Sequence, residues 1–330
     1  MLRLSQVATC LVLFCLSTIS GQAAGIQLLD RGPQISGGIW YPCDGTPAPV
    51  ELGKLALPAA DQLRGVRDCP VSKRKHPLVL ISHGTGGWFA GHHDTAETLA
   101  DAGFIVVAIN HPGDSGYDSS PSEGLSNWVS RPQDVVRAFD FMLNDWKDHT
   151  AIDPEKIGFF GFSKGGYTGL VLVGATLDFQ RGASNCNNKS RFCEQVNSGD
   201  VPRNLPQDHR IKAAVLVDPA PTVAFTKDTL AAISIPIQTW RSELGAKERG
   251  VDPSGVSRVL NDVPGNPEAH VVSAGHFAFL PPCSPEFAAS KPLFCSDPSG
   301  FDREAFHRQF NVDVVRFFRH HLASGTVLAK

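Results

Sequence analysis

Ser163 stands inside Gly161-Phe162-Ser163-Lys164-Gly165, after the apolar run 157–160 and before small residues that open a helical pattern. A serine hydroxyl is a weak nucleophile unless it is lifted clear of its neighbours and given a base, and a G-x-S-x-G turn from strand to helix does the lifting. The glycines leave room for a sharp turn and for close packing of strand against helix. The base would be an imidazole, and that imidazole needs a carboxylate to hold its tautomer and steady its positive charge. His276 follows the apolar segment 269–273, and Asp218 follows 211–217. Glu243, just past 236–240, is the alternative acid, and Asp114 is a more remote one. This trio would perform acyl transfer, and the negative oxygen formed on attack needs donors. The backbone N–H of Lys164 and one from His83-Gly84-Thr85-Gly86-Gly87, that of Thr85, could supply them.

These residues can meet only if the intervening chain forms a suitable scaffold. Residues 77–82 form a continuous apolar run, as expected of a strand buried on both faces of a parallel sheet, and 104–109 is another. Between them, 88–102 reads as a helix. Pro132 is placed to open a helix whose apolar positions Val135, Val136, Phe139, Met142, Leu143 and Trp146 follow the 3.6-residue period. A strand at 157–162 and a helix at 166–177 come next. Strands are then expected at 211–217, 236–240 and 269–273, and an amphipathic helix at 301–322 closes the chain. Strand and helix alternate, the signature of a mostly parallel, doubly wound sheet flanked by helices. In such sheets the carboxyl ends of the strands lie along one edge, so residues 163, 218 and 276 would share that edge. Residues 25–43 read as an opening antiparallel pair, and 47–75 as a polar excursion over the surface.

Residues 1–23 combine Arg3, an apolar core and small residues before position 24, which predicts a cleaved secretory signal. Residues 24–330 are then a single domain, and 178–210 interrupt its rhythm as a long, lid-like insertion after the nucleophile helix. Secretion or export to a periplasm would be an oxidising fate. The six cysteines outside the leader fall into three local groups, so 43 with 69, 186 with 193 and 283 with 295 is the expected pairing among 15 possible ones. No C-x-x-C spacing points to a metal instead. His92, His93 and Asp94 are adjacent in a way that splays them around a helix, so a solvated helix start is expected there rather than a metal site. His83 is expected to shape the oxyanion loop, and the charged head of Lys164 to lie at a pocket rim or in solvent. A formal charge of −3 with no basic run argues against nucleic acid or an anionic membrane as the main partner, and after loss of the leader no membrane-spanning segment is expected.

Four motifs together, Trp40-Tyr41-Pro42, Ser82-His83-Gly84-Thr85-Gly86-Gly87, Gly161-Phe162-Ser163-Lys164-Gly165-Gly166 and Ala274-Gly275-His276-Phe277, give a resemblance spanning nearly the whole mature chain. It resembles the α/β-hydrolase fold, and within it the branch of dienelactone-hydrolase-like and plasma platelet-activating-factor acetylhydrolase-like serine esterases. The resemblance implies an acid after the strand that follows the nucleophile helix, which is Asp218; most other α/β-hydrolases place it one strand later, near Glu243. Dienelactone hydrolases use cysteine as nucleophile, and Ser163 departs from that. The implied activity is hydrolysis of a small-molecule or lipid-like carboxylic ester, with no metal or organic cofactor. An amidase or peptidase on the same triad and a non-catalytic ligand-binding relative are the alternatives. Trp88, Phe89, Phe277, Phe279 and Leu280 flank the expected site in sequence and suggest an apolar pocket. The oligomeric state is left open.

Overall fold

The computed structural model describes residues 22–323, apart from 33, 59, 61, 120–123, 184–185 and 187–189. Most of the expected leader, residues 1–21, therefore lies outside the described residues. Strands β1 (Gln22–Asp30) and β2 (Ser36–Asp44) form the opening antiparallel pair. Two short strands, β3 (Ala48–Pro49) and β4 (Arg64–Arg67), fall in the stretch expected to be a featureless excursion. β4 runs parallel to β1, so this stretch widens the sheet. Strands this short show no period in the sequence, because their pairing partners rather than their own pattern define them.

The rest of the sheet consists of β5 (His76–Ser82), β6 (Ile105–Ile109), β7 (Ile152–Phe162), β8 (Ile211–Val217), β9 (Ile237–Ser242) and β10 (Glu268–Val272), all parallel to their neighbours in this group. The order is β10-β9-β8-β7-β5-β6-β2-β1-β4-β3. After β6 the chain crosses back over β5 to lay down β7, so the winding reverses between β5 and β7. Crevices at such reversals, outside the carboxyl ends of the strands, are where ligands bind in open α/β sheets.

The central strands are apolar on both faces because both are covered. Leu78 and Leu80 of β5, Ile157 and Phe159 of β7, and Ala214 and Leu216 of β8 point into one core; Val79 and Ile81, Phe160 and Phe162, and Val215 and Val217 point into the other. Helices α1 (His93–Asp101), α2 (Ser126–Asn144) and α3 (Lys164–Leu172) divide between them, α1 on the second face, and α2 and α3 on the first. Within the long insertion lie α4 (Phe179–Ala183) and α5 (Arg191–Ser198). The ring of Trp128 on α2 meets those of Phe179 and Phe192 at 5.7 and 5.5 Å, and Gln195 accepts a hydrogen bond from the N–H of Leu125 at 2.9 Å. The insertion is thereby fastened to the start of α2. Beyond β8 come α6 (Lys227–Leu230), α7 (Pro253–Asp262), α8 (Pro285–Ser290), α9 (Pro292–Cys295) and the closing helix α10 (Arg303–Phe318), which meets α1 through hydrogen bonds of His307 and Asn311 and enters the second core through Phe310, Val314, Phe317 and Phe318. Cys43–Cys69, Cys186–Cys193 and Cys283–Cys295 are disulfide-bonded, in the expected pairing. Among the described residues no helix is long and apolar enough to cross a membrane.

Three helices differ from the sequence reading, one of them α3, which spans Lys164–Leu172 rather than 166–177. Helix α1 begins at His93 rather than near Trp88, whose segment turns instead, with Gly91 N–H bonded to the Trp88 carbonyl at 3.0 Å. Pro132 does not open α2 but sits inside it. Proline there removes the bond that its own N–H would give to the carbonyl four residues back, that of Trp128. The Tyr167 hydroxyl from α3 donates to that carbonyl at 2.9 Å and takes the missing partner's place. A compensation supplied from another helix cannot be read from local sequence.

Candidate active site

The strand β7 ends at Phe162, and Ser163 takes φ 56° and ψ −116° before α3 begins at Lys164. A side-chain-bearing residue rarely adopts a positive φ, and the strain, of order 1–3 kcal/mol, persists only where the surroundings enforce it. Here they do. Ser163 N–H donates to the Val217 carbonyl at 2.9 Å, and its own carbonyl accepts from Tyr167 N–H at 3.1 Å and Ala220 N–H at 2.9 Å. A Cβ on Gly161 would come within 2.2 Å of the Gly165 carbonyl oxygen, and one on Gly165 within 1.9 Å of that of Ser82. These two glycines are required by backbone crowding between β5, β7 and α3.

Asp218, immediately after β8, is fully buried and also has a positive φ, 45°. Its Oδ2 is 2.7 Å from His276 Nδ1. His276 opens a 3₁₀ turn after β10, is buried, and stacks its ring on Phe162 with centroids 4.6 Å apart. The histidine thus rests on the residue before Ser163 while its Nδ1 faces a carboxylate. Glu243 is exposed; the carboxylate that meets His276 belongs to Asp218.

Sequence reasoning missed Ser242, the last residue of β9. Its backbone N–H donates to Asp218 Oδ1 at 3.0 Å, its hydroxyl donates to Oδ2 at 2.6 Å, and its Oγ accepts from Gly245 N–H at 3.2 Å. Asp218 therefore has hydrogen bonds to both oxygens, which suits an ionised carboxylate kept out of water. The only signal in the sequence is that Ser242 adjoins Glu243 at the strand end where an acid was a possibility.

The loop after β5, where an oxyanion donor is expected, is held by a buried polar cluster. His83 Nδ1 donates to the Gly84 carbonyl at 2.7 Å while Nε2 accepts from His111 N–H at 3.3 Å, which fixes a neutral ring with its proton on Nδ1. Burial, and then the nearby Arg131, lower His83 to about 3. Arg131, fully buried, donates to the His83 carbonyl, to Asp114 Oδ2 at 2.9 Å, and to Ser82 Oγ and Thr168 Oγ1, each at 3.3 Å. His111 bridges Ser82 Oγ at 2.8 Å and Asp134 Oδ2 at 2.9 Å. Burial raises Asp134 to about 7, and burial with the cation Arg131 pushes His111 well down.

The head of Lys164 reaches neither a rim nor solvent. It is buried, donates to Asn127 Oδ1 at 2.7 Å and lies 3.3 Å from Asp114 Oδ2. Burial, opposed by Asp114 and aided by Arg131, pushes its ammonium down to about 8. Its backbone N–H belongs to the first residue of α3, where a helix has no internal acceptor for it. Thr85 is exposed at the loop tip. Of the five apolar residues near the site in sequence, Phe89 and Phe279 are core residues, packed on Trp40 and on Phe310 respectively, whereas Trp88, Phe277 and Leu280 are half-buried. The expected solvated helix start is also replaced. His92 is buried between Phe160 and Phe162, and Asp94 accepts from His307 at 2.7 Å and from Asn311 at 2.9 Å. Among the described residues no cluster of three or more histidine, cysteine or acidic side chains could hold a metal.

Residues 92–187, less than a third of the chain but including the whole elbow, match the prolyl oligopeptidase family. The chain is 28% identical over 110 residues to the protein named "Probable dipeptidyl-peptidase 5" of Emericella nidulans, covering 32% of this chain and 15% of that one. It is 25% identical over 138 residues to acylamino-acid-releasing enzyme 2 of Oryza sativa subsp. japonica, covering 41% of this chain and 17% of that one. The chain thus matches about a sixth of the length of these relatives. The structure of a ferulic acid esterase from Streptomyces cinnamoneus superposes with a TM-score of 0.58 at 17% identity, over 95% of this chain and 94% of the other. With a winding that reverses beside the strand carrying Ser163, and with this likeness over nearly the whole chain, the chain has the α/β-hydrolase fold.

Proposed function

We propose that the protein is a secreted serine hydrolase that cleaves carboxylic esters through an acyl-enzyme, with Ser163 as nucleophile, His276 as base and Asp218 as acid. The observation that carries this is the buried Asp218–His276 pair, 2.7 Å apart and stacked against the strained turn that presents Ser163. His276 Nε2 takes the Ser163 proton as Oγ attacks the ester carbonyl, and Asp218 steadies the imidazolium. The N–H groups of Thr85 and Lys164 receive the oxyanion, with the amino end of α3 adding its partial positive charge. Collapse expels the alcohol with the proton from His276; water then repeats the sequence to release the acid.

A small-molecule or lipid-like ester is favoured by the half-buried Phe277, whose ring lies 5.3 Å from that of His276 and packs on the buried cluster of Ala220, Ala246, Val251, Val256 and Leu260. The likeness over nearly the full chain to the ferulic acid esterase supports ester over amide. The resemblance to the dienelactone-hydrolase-like and platelet-activating-factor acetylhydrolase-like branch points the same way. A second reading, amide or peptide cleavage on the same triad, is favoured by the match of the elbow segment to a peptidase family. Export is supported by three disulfides, which persist in oxidising compartments. The test compares p-nitrophenyl butyrate with the matching p-nitroanilide and follows labelling by a fluorophosphonate. Turnover of the ester at least a hundredfold above the anilide, with labelling abolished in Ser163→Ala, is expected. Equal labelling of Ser163→Ala and wild type would end the assignment of the nucleophile, and faster anilide turnover would select the peptidase.

A further inference from the structure

We infer that Asp114 is a positioning residue that sets the two oxyanion donors relative to each other, an inference that rests on the Ser163 reading above. The two proposed donors lie on separate pieces of chain, the loop after β5 and the first turn of α3. One buried carboxylate grips both. Asp114 Oδ1 accepts from the N–H of Gly86, the residue next to Thr85, at 3.1 Å, and its Oδ2 lies 3.3 Å from the ammonium of Lys164. The same Oδ2 accepts from Arg131 at 2.9 Å, and Arg131 in turn donates to the carbonyl of His83 at the start of the loop. Two residues on, the N–H of Gly116 donates to the Gly87 carbonyl at 2.7 Å and closes the far end.

The loop and the elbow also touch directly, so a small displacement of one is felt by the other. A Cβ on Gly84 would lie 3.0 Å from the Ser163 Cβ. Backbone donors stabilise an oxyanion only when aimed at the place where charge develops, and one such donor carries roughly 10²- to 10³-fold in kcat. Asp114 touches neither substrate nor reacting atoms. It acts by keeping Thr85 and Lys164 N–H groups converged, with Asp114 and Arg131 completely buried and Lys164 nearly so. This gives Asp114 a role distinct from that of a triad acid.

The test uses Asp114→Asn and Lys164→Met in the full chain, assayed with p-nitrophenyl butyrate and with a trifluoromethyl ketone, which forms a tetrahedral oxyanion adduct on the serine. Asp114→Asn is expected to lower kcat about 100-fold with KM within about threefold, and to weaken the ketone about 100-fold in parallel. Lys164→Met keeps its backbone N–H but releases Asp114, and is expected to lower kcat and ketone affinity about tenfold. Should Asp114→Asn fail to fold, Lys164→Met decides alone. A folded variant with kcat within twofold of wild type, or one whose kcat falls while ketone affinity is unchanged, overturns the inference. Full activity in Ser163→Ala, or no binding of the ketone to wild type, would instead overturn the Ser163 reading itself.

Discussion

Asp218→Asn is expected to lower kcat/KM for a short p-nitrophenyl ester by about 10⁴-fold, while Glu243→Gln leaves it within about twofold. The size follows from what the carboxylate does. As an acceptor only, Asp218 Oδ2 holds the His276 proton on Nδ1, which leaves Nε2 free to receive the one from Ser163. An amide at this position can present its NH₂ to His276 and favour the opposite tautomer, at almost no change in volume. Ser242 reinforces that danger, because its hydroxyl and N–H already donate to Asp218 and would compete for the single remaining oxygen of an asparagine. Ser242→Ala removes one charge-assisted hydrogen bond and leaves the carboxylate in place, so a loss of about tenfold to 100-fold is expected. Steady-state kinetics on the three variants, with thermal melts to establish folding, rank the carboxylates. Activity intact in Asp218→Asn and lost in Glu243→Gln would reverse their roles.

His92→Phe is expected to stabilise the fold in acid, by an amount that grows as the pH falls. The His92 ring is buried in edge contact with Phe160 and Phe162, centroids 5.2 and 5.1 Å away, and neither ring nitrogen has a hydrogen-bond partner. Burial lowers it to about 3, against the pull of Asp94. Its folded value is therefore below its unfolded one, near 6.5. Between those values the unfolded chain binds the proton that the folded chain refuses, so native stability is retained above 6.5 and is lost as pH falls toward 3. Each pH unit in that window corresponds to about 1.4 kcal/mol. Phenylalanine carries no proton and leaves no polar nitrogen unpaired. At pH 4.5 the variant should exceed wild type by about 3 kcal/mol more than it does at pH 7. Urea melts at the two pH values measure that difference. A gap that stays constant with pH would show that His92 is not held neutral by the fold.

The sequence disclosed the parts of this molecule that depend on local pattern. β5 through β8 are runs apolar on both faces because the sheet is covered on both sides, and such runs cannot be mistaken for solvated segments. Ser163 and Asp218 stood out because each follows such a run and His276 because it follows the last short strand, and parallel winding brings the ends of these strands to one edge. What escaped notice depends on partners far away in the chain. Pro132 is tolerated inside α2 through the hydroxyl of Tyr167, Lys164 is drawn inward by Asp114, and His92 is enclosed by rings from β7. Each of these residues has a type that, taken alone, predicts a helix start or a solvated head. Burial of a polar residue becomes visible only when its counterpart does, and the counterparts lie between 35 and 70 positions from them in the sequence.

Among the described residues β10 is the outermost strand on its side of the sheet and pairs with β9 alone, with Glu268, Ala269 and Val271 exposed. The proposed base hangs from that margin, whereas the serine hangs from β7 near the middle. Margins of a sheet open with less free energy than its centre, so the Asp218–His276 pair should come apart before the molecule does. Esterase activity should then vanish at a lower urea concentration than tryptophan fluorescence or circular dichroism reports, and amides of β10 should exchange with deuterium ahead of those of β7. Coincident midpoints for activity and structure would mean that the margin is as firmly held as the centre. The protein would in that sense carry its switch-off point in its least protected strand, while the proposed nucleophile stays beside the most protected one.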